Sequence, residues 1–172
     1  MKVIFLDIDG VLNTPSSESR CGEYIGIDDD KVERLKQIVE KTKAEIVLIS
    51  TWKKYWRKEK KFKPLQDYFA NYLDEKLAKQ GLKAIDKTKD KANGRYLSRG
   101  ESILEYVYRN NVENYIILDD CQFDYDGCDL SVKLIKTNQT EGLTEKEVKK
   151  TCEILANNSI ITTSEIPNEG VF

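Results

Sequence analysis

Three short apolar runs in this chain each end in residues able to do chemistry. Val3–Leu6 leads into Asp7-Ile8-Asp9-Gly10, Ile46–Ile49 into Ser50-Thr51, and Tyr115–Leu118 into Asp119-Asp120, with Asp124 and Asp126 close behind. Carboxylates serve as nucleophiles, as general acids and bases, and as ligands of hard cations. None of the 172 residues is histidine. That excludes Ser-His-Asp and Cys-His hydrolases, His-ligated zinc and imidazole acid–base chemistry. Catalysis here has to run on carboxylates, lysine, arginine, hydroxyls, thiols or a metal held by oxygen.

The elements that position these groups follow from hydrophobic spacing. Val3–Leu6 is continuous and β-prone, as in a strand covered on both faces. Residues 13–27 are polar and read as a loop or flap. Val32, Leu35, Ile38 and Val39 keep helical spacing behind Asp28, Asp29 and Asp30, and Ile46–Ile49 is a second buried strand. Leu65, Tyr68, Phe69, Tyr72, Leu73 and Leu77 form a helical stripe opened by Pro64 and stopped by Gly81, and Leu82–Asp86 is a weaker strand. Ser98-x-x-Glu101 is a capping box for a helix carrying Ile103, Leu104 and Val107. Tyr115–Leu118 and Val132–Ile135 are two further strands, and Thr144-x-x-Glu147 caps a last helix with Val148, Cys152 and Leu155. This alternation predicts one α/β domain over residues 1–172, a doubly wound parallel sheet.

In such sheets ligands bind beyond the carboxyl ends of the strands, where strand order reverses. Three strand ends would then bring together Asp7, Asp9, Asp119 and Asp120 with Ser50 or Thr51. Any single strand-end aspartate is explained as a helix cap or a solvated turn residue. Several converging carboxylates stay ionised together only with a cation between them. Oxygen-only ligation suits Mg2+, which takes one or two carboxylates with waters and phosphate.

Asp7-Ile8-Asp9-Gly10-Val11-Leu12 resembles the first motif of the haloacid dehalogenase (HAD) superfamily, DxDGVL. Ser50 is similar to its second motif, a hydroxyl closing a hydrophobic strand, and Leu118-Asp119-Asp120 resembles its fourth. More narrowly, FLDIDGVLN, ISTW, RGESI, ILDD and Gly142-Leu143-Thr144 look like the compact HAD domains associated with Swiss-army-knife RNA repair proteins. The resemblance implies a Rossmann-like core with a flap and little or no cap domain. It also implies phosphatase chemistry, with Asp7 as nucleophile forming an aspartyl-phosphate and Asp9 as acid and base. Ser50 would bind a phosphoryl oxygen, with Thr51 as the alternative hydroxyl. Mg2+ would sit on Asp7, the Asp9 carbonyl, Asp119 and Asp120, with Asp124 a rival for the distal position. The superfamily places a lysine before the acidic strand; Arg99 matches best, with Lys91 and Arg95 as competitors.

The gaps of 42 residues between Asp7 and Ser50, and 48 between Ser50 and Arg99, leave no obvious room for a large cap. Trp52–Lys63 holds seven basic residues against one acidic, so it carries +6 and the rest of the chain −8. Basic residues interleaved with aromatics suit a single-stranded nucleic acid, and Trp52 and Lys53 are then substrate-binding candidates beside Thr51. The competing reading is a helix with its tryptophans inward and its lysines in solvent. The substrate expected is a phosphate ester, from a nucleotide or nucleic acid; the alternative is a non-catalytic module that binds a partner through residues 52–63. Cys21, Cys121, Cys128 and Cys152 show no zinc or disulfide spacing. With no signal-peptide core and no membrane-length apolar run, the expectation is a cytoplasmic protein away from membranes.

Overall fold

The computed structural model describes residues 1–59 and 66–157. In chain order the elements begin with β1 (Lys2–Leu6), a small hairpin β2 (Arg20–Cys21) and β3 (Tyr24–Ile25), α1 (Asp29–Thr42) and β4 (Glu45–Leu48). There follow α2 (Tyr68–Lys79), β5 (Ala84–Lys87), a second small hairpin β6 (Lys91–Ala92) and β7 (Arg95–Tyr96), and α3 (Arg99–Arg109). β8 (Asn114–Asp119), β9 (Leu134–Lys136) and α4 (Glu145–Asn157) complete the core.

Five strands form one parallel sheet in the order β5-β4-β1-β8-β9. The continuous apolar runs divide between its faces by the two-residue period of a strand. Ile4, Leu6, Ile46, Leu48, Ile116, Leu118 and Ile135 pack with residues of α1, α2 and α4. Val3, Phe5, Val47, Ile117 and Leu134 pack on the other face with Ile103 and Tyr106 of α3 and with Tyr125 and Leu130. With helices on both faces, the sheet is the α/β, Rossmann-like arrangement expected.

The chain moves outward from β1 to β4 and β5, then crosses back through α3 to β8 on the other flank. Strand order therefore reverses beside β1, and the crevice between the carboxyl ends of β1 and β8 is the ligand position of such folds. α3 starts at the reciprocal Ser98–Glu101 capping box, which satisfies two of its orphan N–H groups. α1 has Asp29 and Asp30 in its first turn and stops at Lys43, whose N–H makes the last bond to the Val39 carbonyl and whose positive φ of 58° turns the chain out of the helix.

Three expectations need correction. Residues 51–59 are not a helix: Thr51–Lys53 make one 3-10 turn and the chain is irregular after it. The Lys87 ammonium donates to the carbonyl of Lys53 at 2.8 Å and to that of Lys54 at 3.3 Å, and the Lys53 carbonyl also accepts the Trp56 N–H at 3.0 Å. The last strand starts at Leu134, because Ser131–Lys133 are a 3-10 turn that leaves Val132 exposed. α2 begins at Tyr68 behind Asp67, whose side chain caps the Ala70 N–H, so Tyr68 belongs to its first turn and is exposed. Lys60, Lys61, Phe62, Lys63, Pro64 and Leu65 lie outside the described residues. Among those described, no helix is long and apolar enough to cross a membrane.

Candidate active site

Leu6 pairs with Leu48 on one side and Leu118 on the other, so the three strands end together. One residue on, the Asp7 N–H donates to the Leu118 carbonyl at 2.9 Å, and Asp7 and Asp119 leave the sheet as neighbours. Both are buried, Asp119 completely. Arg99, the first residue of α3, reaches between them: Nη1 is 3.2 Å from Asp7 Oδ1 and 2.8 Å from Asp119 Oδ2. The guanidinium is backed by the Phe123 ring, 4.0 Å from its centroid. Arg95 instead forms a fork to Glu101 at 2.8 and 3.0 Å, and Lys91 lies over the Tyr96 ring. Of the three cations weighed from the sequence, only Arg99 is brought to Asp7.

Asp119 also accepts the Tyr125 hydroxyl at 2.7 Å and the Cys121 N–H at 2.9 Å. Burial, and then the charge of Asp119, push the Tyr125 phenol far above its ordinary range, so it remains a donor. Asp7 is pushed up to about 7 by burial, against the pull of Arg99 and with the help of Asp119 and Asp9. The Arg99 guanidinium does not offset the loss of water around the Asp7 carboxylate. A hard divalent cation would complete the balance.

The turn after β1 is tight, with the Leu12 N–H bonded to the Ile8 carbonyl at 2.8 Å and Gly10 at a φ of +74°. A Cβ on Gly10 would sit 2.5 Å from Asp120 Cγ, so glycine alone lets the Asp120 carboxyl rest on this turn. Asp119, Asp120 and Cys121 offer ligand atoms within 4.8 Å of one another. With Asp7 beside Asp119, the donor set is dominated by carboxylate oxygen and fits Mg2+. Asp124 is spent elsewhere. It accepts the Ser98 hydroxyl and, at 3.0 Å, the Gly100 N–H, and so fastens the start of α3.

Asp9 is exposed, but both its oxygens are held: Asn13 Nδ2 donates to Oδ1 at 2.9 Å and Trp52 Nε1 to Oδ2 at 3.0 Å. Ser50 is buried at the end of β4, where its hydroxyl accepts the Trp52 N–H at 3.4 Å and starts the 3-10 turn. Thr51 is exposed at a neighbouring pocket of about 340 Å3, whose walls also include Lys53, Lys54, Tyr96, Leu97 and Arg99.

Trp52 and Lys53 are both buried and hydrogen-bonded within the fold, although Lys53 also forms part of the pocket wall. Trp52 is 8% exposed and packs edge-on against Phe69, centroids 5.3 Å apart, leaving no open face for a base. The buried Lys53 ammonium spends its protons on the Thr88 carbonyl (3.0 Å), the Thr88 hydroxyl (2.8 Å) and Asp90 (2.8 Å). Trp56 is buried and donates to Asp74 at 2.9 Å. The described part of the basic–aromatic stretch thus turns its tryptophans and Lys53 inward. Spacing did not single out Asn13, Phe123 or Tyr125. Asn13 stood inside the quoted FLDIDGVLN, four residues after Asp9, whereas Phe123 and Tyr125 lie in an aperiodic loop that gave no signal.

Comparison with curated proteins finds no match. A family model does match, over residues 3–148, and it describes the HAD domain in Swiss Army Knife RNA repair proteins. That span runs from β1 into α4 and contains every carboxylate described above. Membership points to a phosphohydrolase-type function. The chain belongs to the family of HAD domains found in Swiss Army Knife RNA repair proteins.

Proposed function

We propose that the protein is a Mg2+-dependent phosphomonoesterase that works through an aspartyl-phosphate on Asp7. The observation that carries this reading is the buried Asp7–Arg99–Asp119 cluster at the carboxyl end of β1, with Asp9 two residues further on. Asp7 Oδ would attack phosphorus while Arg99 and the buried Ser50 hydroxyl bind the phosphoryl oxygens. Asp9 would give its proton to the departing ester oxygen. It would then take a proton from the water that cleaves the Asp7 acyl phosphate, returning the carboxylate and releasing phosphate. Asp7, the Asp9 carbonyl, Asp119 and Asp120 would hold Mg2+, which lowers the repulsion between an anionic nucleophile and an anionic ester.

The substrate class proposed is a nucleotide or the phosphorylated end of an RNA strand. Support comes from the family's association with RNA repair and from the pocket beside Arg99, open at Thr51. Four free thiols suit a reducing compartment, the cytoplasm. The test is phosphate release, with Mg2+, from 3′- and 5′-phosphorylated oligoribonucleotides, nucleotides and sugar phosphates. Metal-dependent release that disappears in Asp7→Asn is expected. No release from any ester would overturn the hydrolase reading, and equal rates on oligonucleotides and sugar phosphates would remove the substrate class.

A further inference from the structure

We propose that Trp52 is a positioning residue for Asp9, acting on the reaction through that carboxylate and not by touching substrate. The inference rests on the acid–base role proposed for Asp9. Asp9 stands at the solvent side of the site, where a free aspartate side chain would rotate among several rotamers. Here each oxygen accepts one N–H, from Asn13 on one side and from the Trp52 indole on the other. A carboxylate oxygen accepts about two hydrogen bonds. Each therefore keeps room for the proton that Asp9 must deliver and recover, while the plane of the group is fixed.

The two donors differ in what holds them. Asn13 belongs to the turn that carries Asp9, and its Oδ1 accepts the Gly10 N–H at 3.1 Å. Trp52 comes from the far side of the crevice, one residue into the turn that Ser50 starts after β4. Its ring is wedged against Phe69 and Tyr72 of α2, with centroids 5.3 and 6.2 Å away. Phe69 also meets Tyr24 of the first hairpin at 5.3 Å, and the Tyr72 hydroxyl accepts the Ile27 N–H at 3.2 Å. The same aromatic group thus braces the flap and aims the indole N–H at Asp9. A misplaced catalytic group costs rate steeply, about 10²-fold for a displacement near 1 Å.

The role has a signature that packing alone would not produce. Proton delivery matters for a poor leaving group and hardly at all for one that departs as a stable anion. The full chain with Mg2+ should be assayed on phenyl phosphate and on 2,4-dinitrophenyl phosphate, as wild type and as Trp52→Phe. Phenylalanine keeps an aromatic ring in the pocket and removes the N–H. The expected result is a fall in kcat/KM, which reports leaving-group departure and not hydrolysis of the common aspartyl-phosphate, of about 10–100-fold with phenyl phosphate and less than about 2-fold with the dinitrophenyl ester. In an Asp9→Ala background, Trp52→Phe should cost nothing further. Equal losses of kcat/KM on both esters, no loss on either, or a full additional loss without Asp9 overturns the proposal. Should Trp52→Phe not fold, replacing the indole at position 52 by benzothiophene keeps the bicyclic shape without the N–H, and the same two esters decide. Wild type inert on both esters would instead overturn the hydrolase reading on which this rests.

Discussion

The Arg99 guanidinium donates to the fully buried Asp119 carboxylate at 2.8 Å. Through the same Nη1 it faces Asp7, so one cation serves two buried anions. Removing a partner from a buried ion pair leaves the other charge uncompensated, at a cost of about 3–5 kcal/mol. Arg99→Met is therefore expected to lower unfolding stability by that order and kcat by about 10²–10³-fold. Arg99→Lys keeps the charge without the planar fork and should recover stability better than rate. Denaturant titrations and steady-state kinetics on the two variants check the pattern; an Arg99→Met protein as stable as wild type would contradict it.

Asp7 supplies a pH dependence. Its carboxyl titrates near 7 in the folded protein, against an ordinary value of 3.8, because burial disfavours the anion. The folded state binds this proton more tightly than the unfolded state. The resulting stabilisation is complete below about pH 4 and is lost as pH rises through 7. Asp7→Asn, neutral throughout, should match wild type near pH 4 and exceed it at about pH 8 by roughly 2–4 kcal/mol without metal. Added Mg2+ should narrow the gap by binding wild type in its ionised form. Thermal unfolding at the two pH values measures this, and a gap that ignores pH would refute the link to Asp7 ionisation.

Asp7 and Asp119 were legible in the sequence because each follows an apolar run long enough to be a buried strand, and parallel strands that end in register bring their next residues together. Arg99 was legible only as one of three cations. The choice depended on the 91–96 hairpin, which turns Arg95 toward Glu101 and Lys91 toward Tyr96. The Trp52–Trp56 spacing suggested a helix, but backbone periodicity says nothing of a distant lysine. Lys87, on β5, donates to the Lys53 carbonyl across 34 residues of sequence. The Trp52–Asp9 bond joins residues 43 apart and needed the folded chain to be seen.

Gly10 tests the contact between the first turn and the metal-facing acid. An added Cβ meets the Asp120 carboxyl at 2.5 Å, at a φ of +74° that L side chains rarely adopt. Gly10→Ala should lose about 1–3 kcal/mol of stability from backbone strain alone. Because Asp120 must move, the Mg2+ concentration for half-maximal activity should rise about tenfold or more. Magnesium titration of the initial rate reads the second effect separately from unfolding.

Asp120 and Asp124 lie four residues apart and are expected to fail in opposite ways. Asp120 rests on the first turn beside Asp119, whereas Asp124 accepts the Ser98 hydroxyl and the Gly100 N–H at the start of α3. Although burial works against ionisation, these hydrogen bonds hold Asp124 below its ordinary value. Its contribution is therefore present above about pH 4 and fades as pH falls further. Asp124→Ala should cost about 1–2 kcal/mol of stability at neutral pH and leave the Mg2+ requirement near that of wild type. Asp120→Asn should leave the melting temperature nearly unchanged while weakening Mg2+ activation about 10–100-fold. Measuring both properties on both variants separates the roles, because a distal metal ligand and a helix fastener exchange their phenotypes if the assignment is reversed.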